Sequence, residues 1–224
     1  MSMYWILFIG IAVASYLVQS NLKRKFEVYS RQPCPYSGKE VAEMMLRAHG
    51  IYDVRVISTS GRLTDHYNPT DKTVNLSEDV YASYSVAAAA VAAHECGHAV
   101  QHACAYGPLK MRSALVPAVS FASSWMQWIL LIGIFTIQTF PQIMLGGIIL
   151  FAMTTLFSFI TLPVEINASM RATRWLRQAD IVSLSSYPMA VDALRSAAYT
   201  YVVAALSSLA TLVYYVSIFL GRRD

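Results

Sequence analysis

Four runs of this chain carry no charged side chain: Tyr4 to Leu22, Leu115 to Phe140, Ile143 to Leu162 and Tyr199 to Leu220. Each is long enough, at about 1.5 Å per helical residue, to cross the roughly 30 Å hydrocarbon core of a bilayer. Backbone amides surrounded by hydrocarbon must bond within their own segment, so such runs can only be helices. The composition agrees, since 56% of the 224 residues are hydrophobic and 13% charged, which is unlike a water-soluble domain. The expectation is a mainly α integral membrane protein with about four transmembrane helices, at 4–22, 115–140, 143–162 and 199–220. The first run ends at Lys23-Arg24-Lys25. Its basic residues follow the apolar stretch instead of preceding it, which fits a retained anchor better than a cleaved signal peptide. Thr139-Phe140-Pro141-Gln142 joins the second and third runs as a tight helical hairpin. The serines, threonines and tyrosines of 199–220 also suit a helix packed on the others.

Lysine and arginine gather on the cytoplasmic side of membrane helices. With these spans Lys23, Arg24, Lys25, Arg31, Lys110, Arg112, Arg171, Arg174 and Arg177 share one side, so 23–114 and 163–198 are expected in the cytoplasm. Arg222 and Arg223 disagree, because a fourth crossing carries them outside. Cys34, Cys96 and Cys104 have no C-x-x-C spacing and are odd in number, which fits a reducing compartment. The formal charge of +4 sits at membrane-flanking positions, and nothing resembles a nucleic-acid module.

Between the first two spans, Ser37-Gly38-Lys39-Glu40 has the form of a capping box opening a short amphipathic helix, with Gly50 as its stop. Tyr52 to Thr59, Arg62 to Tyr67 and Thr73 to Leu76 alternate like strands and are divided by Ser60-Gly61 and by Asn68-Pro69-Thr70-Asp71. A small antiparallel sheet is expected, with an edge able to hold an extended peptide by main-chain hydrogen bonds.

After the sheet comes a helix-forming run, 85–103, with Ser85 as N-cap and His94-Glu95-Cys96-Gly97-His98 inside it. Residues four apart share a helix face, so both imidazoles can close on one zinc ion and Glu95 can reach water beside it as general base. Cys96 points away from that face and packs. Catalytic zinc takes three protein ligands. His102 lies one turn past His98, and three ligands along one straight helix reach too far apart to surround an ion. His49 belongs to the amphipathic helix, and His66, beside Asp65 and Tyr67, can line a cleft. Glu165 is the better third ligand, because the membrane hairpin returns it to the side that holds the motif. Two core histidines flanking an incidental glutamate are the plain alternative.

The stretches Ala93-His94-Glu95-Cys96-Gly97-His98-Ala99-Val100-Gln101 and Leu162-Pro163-Val164-Glu165-Ile166-Asn167-Ala168-Ser169 resemble the YugP-type membrane zinc metallopeptidases, themselves similar to the HtpX and CAAX-prenyl-protease group of gluzincins. Asp65-His66-Tyr67-Asn68-Pro69 and Ala197-Ala198-Tyr199-Thr200-Tyr201 look like that family too. The resemblance implies a small α+β zincin-like cytoplasmic catalytic domain in a bacterial cytoplasmic membrane. It implies a zinc-dependent endopeptidase with ligands His94, His98 and Glu165 and base Glu95, acting on membrane-associated or misfolded proteins. His66 and Tyr67 are candidates for contacting substrate or the oxyanion. HtpX-type relatives carry an acidic residue four positions after the ligand glutamate. Ser169 stands there in this chain, which removes the carboxylate expected to hold a ligand histidine.

Two other functions compete with this one. A site-2-type intramembrane protease would place the 85–103 helix in the bilayer, but such enzymes take their third ligand from an Asp-Gly pair, which this chain lacks. A non-catalytic scaffold tied by structural zinc would need four protein ligands and gives Glu95 no task.

Overall fold

The computed structural model describes residues 3–221; Arg222 and Arg223, on which the disagreement over the last crossing rests, lie outside them. The chain is mainly helical, in the order α1 (Met3–Ser30), α2 (Gly38–Ala48), β1 (Arg55–Thr59), β2 (His66–Asn68), β3 (Thr73–Ser77), α3 (Glu78–Tyr81), α4 (Val86–Ala103), α5 (Gly107–Phe135), α6 (Pro141–Gln178) and α7 (Tyr187–Gly221). Among the described residues, α1, α5, α6 and α7 are long and apolar enough to cross a membrane, and α4 is not one of these. α1, α6 and α7 outrun their uncharged stretches, whereas α5 begins before Leu115 and ends at Phe135, short of the expected Phe140. The largest extension is in α6, which was expected to end at Leu162 and instead continues through Pro163 to Gln178. Proline deletes one backbone donor and strains the preceding turn, yet the hydrogen bonds on either side of it are enough to carry a helix this long.

Backbone contacts divide the chain into two compact units. The first is purely helical and holds 3–16, 110–162 and 201–221. In it α5 and α6 touch at glycines: a Cβ on Gly133 would fall 2.6 Å from Met144 Cα, and one on Gly147 would fall 2.8 Å from the Leu130 side chain. Leu130, Met144 and Ile148 are buried at this seam. Thr155 and Ser208 exchange a hydroxyl hydrogen bond of 2.7 Å between α6 and α7. Phe121, Trp125, Trp128, Leu131 and Phe135 of α5 remain exposed.

The second unit, 17–109 and 163–200, is mixed α and β. Here α2 opens with the capping box, Glu40 N–H donating to Ser37 Oγ at 3.3 Å and Ser37 N–H to Glu40 Oε2 at 2.7 Å. Gly50, just past its end, has φ +70, a left-handed conformation open to glycine. The sheet departs from the antiparallel expectation. Its order is β1-β3-β2, with β1 parallel to β3 and β2 antiparallel to β3. The turn at 68–71 makes the expected hairpin, with Asn68 Oδ1 accepting from the Thr70 amide at 2.9 Å. Ser60-Gly61 does not return the chain onto β1; it begins a passage to the opposite edge of β3. The reason lies in β3, whose five residues are all buried, so that the sheet centres on it and needs a partner on each side.

Val41, Met45 and Leu46 of α2, Val74 and Leu76 of β3, Val80 of α3, Ala172 and Leu176 of α6 and Leu194 of α7 form one core with the alanines of α4. Val86 to Ala90, Ala92 and Ala93 are all buried. Side chains this short let neighbouring backbones come close to α4. Asp192 of α7 accepts from Lys25 Nζ at 2.7 Å and from Tyr29 Oη at 2.6 Å, joining α7 to the end of α1.

Candidate metal centre

Ser85 caps α4 as expected, its Oγ accepting from the Ala88 amide at 3.2 Å, and sets the phase in which His94 and His98 project one above the other. Their rings meet edge to face, with centroids 4.8 Å apart. Gly97, on the turn between them, faces α6 so closely that a Cβ there would fall 2.7 Å from the Ala168 carbonyl oxygen. This contact brings Glu165, one helical turn before Ala168, up to the imidazoles. Glu165 Oε2 lies 3.4 Å from His94 Nε2 and 3.6 Å from His98 Nε2.

Those separations are long for hydrogen bonds to a carboxylate. They match what an ion between the three groups would impose, since a tetrahedral zinc with arms of about 2.0–2.1 Å sets its ligand atoms roughly 3.3 Å apart. His94, His98 and Glu165 are the one group of at least three histidine, cysteine or acidic side chains, among the described residues, whose ligand atoms gather within 4.8 Å. Two imidazoles and a carboxylate suit zinc in chemical type as well. Glu95, His98 and Glu165 are buried, and His94 is half-buried.

Both imidazoles turn Nε2 inward and have Nδ1 occupied from behind. Ser169 Oγ lies 3.1 Å from His94 Nδ1, so a hydroxyl fills the place of the missing acidic residue. His98 Nδ1 lies 3.0 Å from Oε1 of Gln101, whose side chain is fully buried. Burial pushes the His98 imidazole toward neutrality, but the nearby Glu165 and Glu95 carboxylates outweigh it and hold its pKa above the usual histidine value. Cys96, between the two histidines in sequence, is fully buried with Sγ 3.5 Å from the Ala42 carbonyl, and burial pushes its thiol well up. It packs.

The other named side chains lie elsewhere. His49 caps α2, its Nδ1 2.9 Å from the Met45 carbonyl. His66 and Tyr67 sit on β2, an edge strand, and neither belongs to the three-residue cluster. His66 is exposed, with Nδ1 2.7 Å from the Thr64 carbonyl. Tyr67 reaches His102 instead, its hydroxyl 2.9 Å from His102 Nδ1, which fastens β2 one turn beyond His98. Gln101 escaped sequence reasoning although it stands three residues after His98, a spacing that shares the face.

Residues 4–220 match a protein family described as "Putative neutral zinc metallopeptidase". The chain is 42% identical over 224 aligned residues to the protein named "Putative membrane protease YugP" of Bacillus subtilis (strain 168), covering 97% of this chain and 99% of that one. No solved structure matches it. With a match running almost end to end over a centre of these dimensions, the chain belongs to this zinc metallopeptidase family.

Proposed function

We infer that the protein is a membrane-embedded zinc endopeptidase that hydrolyses peptide bonds of membrane-associated or misfolded proteins at a site facing the cytoplasm. The observation that carries this is the convergence of His94, His98 and Glu165 at zinc-ligand spacing beside a buried Glu95. His94 and His98 would hold the ion through Nε2, and Glu165 through a carboxylate oxygen. Zinc, when bound, supplies Lewis acidity that makes water acidic near neutral pH and draws charge from a carbonyl oxygen. Glu95 performs the proton transfers: its carboxylate accepts a proton from the attacking water and, once protonated, delivers it to the nitrogen of the leaving amine. Three ligands from the protein leave one position for reactants, which favours an enzyme over a structural zinc tie.

β2 offers the substrate a strand edge, and α4 packs against that strand. An extended peptide bound along this edge would be held mainly by its backbone, so many sequences would serve as substrate. Tyr67 on the same strand, whose hydroxyl meets His102 one turn past His98, is the candidate donor to a developing oxyanion, and His66 the candidate contact to the peptide.

Membrane embedding is supported by the four long apolar helices and by the name borne by the Bacillus subtilis relative. The cytoplasmic orientation rests on the distribution of lysine and arginine. A cysteine introduced beside Lys110 should resist an impermeant thiol reagent applied to intact cells and react once the membrane is opened. The activity is tested with the purified protein in detergent and an unfolded protein as substrate. One zinc per chain is expected, with cleavage that ceases on chelation and returns with zinc; a zinc-loaded protein that cleaves no unfolded or membrane-associated polypeptide would overturn the reading.

A further inference from the structure

We propose that Gln101 is a positioning residue for the metal centre: its amide fixes the proton of His98 on Nδ1 and binds the histidine helix to the helix that carries Glu165. The inference rests on the zinc reading above. Gln101 is fully buried, lies on α4 three residues after His98, and makes three hydrogen bonds. Its Nε2 donates to the Val164 carbonyl at 2.8 Å and to Asn167 Oδ1 at 3.0 Å, and its Oε1 lies 3.0 Å from His98 Nδ1.

The donor and acceptor roles in this chain of contacts have one solution. A backbone carbonyl can only accept, so the Gln101 group facing Val164 must be its NH2. Arg171 Nε, which can only donate, lies 2.8 Å from Asn167 Oδ1 and fixes that atom as the carbonyl end of its amide. Both hydrogens on Gln101 Nε2 are therefore committed to α6. Only Oε1 remains for His98, and a carbonyl oxygen can face Nδ1 favourably only when Nδ1 carries the proton. In the neutral ring this leaves His98 Nε2 as the nitrogen with the free lone pair, the form a metal ligand needs. His94 is held differently. Its partner, the Ser169 hydroxyl, can donate or accept, so it orients the ring without fixing the tautomer.

The same amide ties the ligands together. Val164 precedes Glu165 in sequence, so the bond from Gln101 grips α6 at the residue next to the third ligand. A shift of α6 that moved Glu165 away from the histidines would break this bond and leave the buried amide unpaired.

The test uses the full-length protein in detergent, with zinc affinity measured by competition against a fluorescent chelator, thermal unfolding of the metal-free form, and 15N NMR of labelled histidine. Gln101→Leu should weaken zinc binding about 10- to 100-fold, the range seen when a hydrogen-bond partner of a ligand histidine is removed. Ser169→Ala, which removes a partner that orients His94 without fixing its proton, should weaken it less than Gln101→Leu does. In the metal-free wild type, at a pH high enough for the ring to be neutral, His98 should show a protonated Nδ1 and an unprotonated Nε2, and in Gln101→Leu the two tautomers should mix. A Gln101→Leu protein that binds zinc within about threefold of wild type overturns the proposal; so does a neutral wild-type His98 ring that carries its proton on Nε2, a readout that survives even if the variant fails to fold. Failure of wild type itself to bind zinc would overturn the zinc reading instead, and the wild-type spectrum would still decide the role of Gln101.

Discussion

The helical and mixed units use the same apolar residues to opposite ends. In the mixed unit the apolar side chains of α2, β3 and α4 point inward and leave a continuous core from which water is excluded. In the helical unit the buried seam is reduced to Leu130, Met144 and Ile148, with Phe121, Trp125, Trp128 and Phe135 on the outside. Exposed aromatic and aliphatic surface on that scale is unfavourable in water and neutral in hydrocarbon. The polar residues divide in the same way. Thr155 and Ser208 bond each other within the helical unit, while the mixed unit buries Glu95, His98, Gln101 and Glu165 together. Burying two carboxylates and an imidazole is unfavourable unless something compensates, which is a reason to expect a cation at this site.

The sharpest way to break the comparison is to remove chemistry from the mixed unit without touching its packing. Glu95→Gln keeps the shape and hydrogen-bonding capacity of the side chain but cannot take a proton. Peptide hydrolysis should fall by about 10²- to 10⁴-fold, the range associated with a general base, while zinc content by metal analysis stays at the wild-type level. Retained hydrolysis would take Glu95 out of the mechanism.

Next in size is a charge on the outer face of the helical unit. Trp125 is 54% exposed near the middle of the apolar part of α5, so in water Trp125→Arg would be almost without effect. If hydrocarbon surrounds this face, arginine near the middle of the span is unfavourable by about 3 kcal/mol, and the fraction of chains integrated into membranes should drop sharply. Normal integration would show that this face is covered by protein or water.

How far this contrast could be seen in the residues alone depended on its cause. The apolar runs, the capping box at Ser37 and the histidine pair on a helix capped by Ser85 are local patterns with a single geometric reading. Glu165 was within reach because one apolar run ends just before it. The sheet order was not, since the alternation in 52–76 fixes which faces are buried but not which strand is central, and burial on both faces of β3 is a tertiary fact. Continuation of α6 through Pro163 was hidden for a similar reason: a proline usually marks a helix boundary, and only packing decides otherwise. Gln101 was legible in spacing and passed over, because an amide carries no charge and its importance comes from the carbonyl it meets on a distant helix.

A finer probe compares the two glycine contacts, which are alike in distance but differ in what they hold together. Gly97→Ala would set a Cβ 2.7 Å from the Ala168 carbonyl, and Gly133→Ala one 2.6 Å from Met144 Cα. Each forces backbone apart, an overpacking cost of about 1–3 kcal/mol. The Gly97 variant separates the histidine helix from Glu165, so zinc affinity should fall together with the thermal midpoint. The Gly133 variant strains the α5–α6 seam and should lower the midpoint alone. Equal losses of zinc affinity would mean that the centre depends on the seam as much as on its own helix contact.

The smallest expected effect isolates folding of the mixed unit from its chemistry. Ser37 caps α2 through the Glu40 amide, and its own amide is bonded by the Glu40 carboxylate, so Ser37→Ala unpairs one donor at the helix start and weakens the reciprocal arrangement. Loss of such a cap is worth about 1 kcal/mol. Met45 and Leu46, on the face that α2 presents to α4, stay buried whether or not the first turn frays. Chemical denaturation should therefore show a midpoint shift of that size with zinc affinity and hydrolysis unchanged. A parallel loss of zinc would place α2 among the elements that set the spacing of His94 and His98, and the buried core and the metal centre would then have to be treated as one cooperative structure.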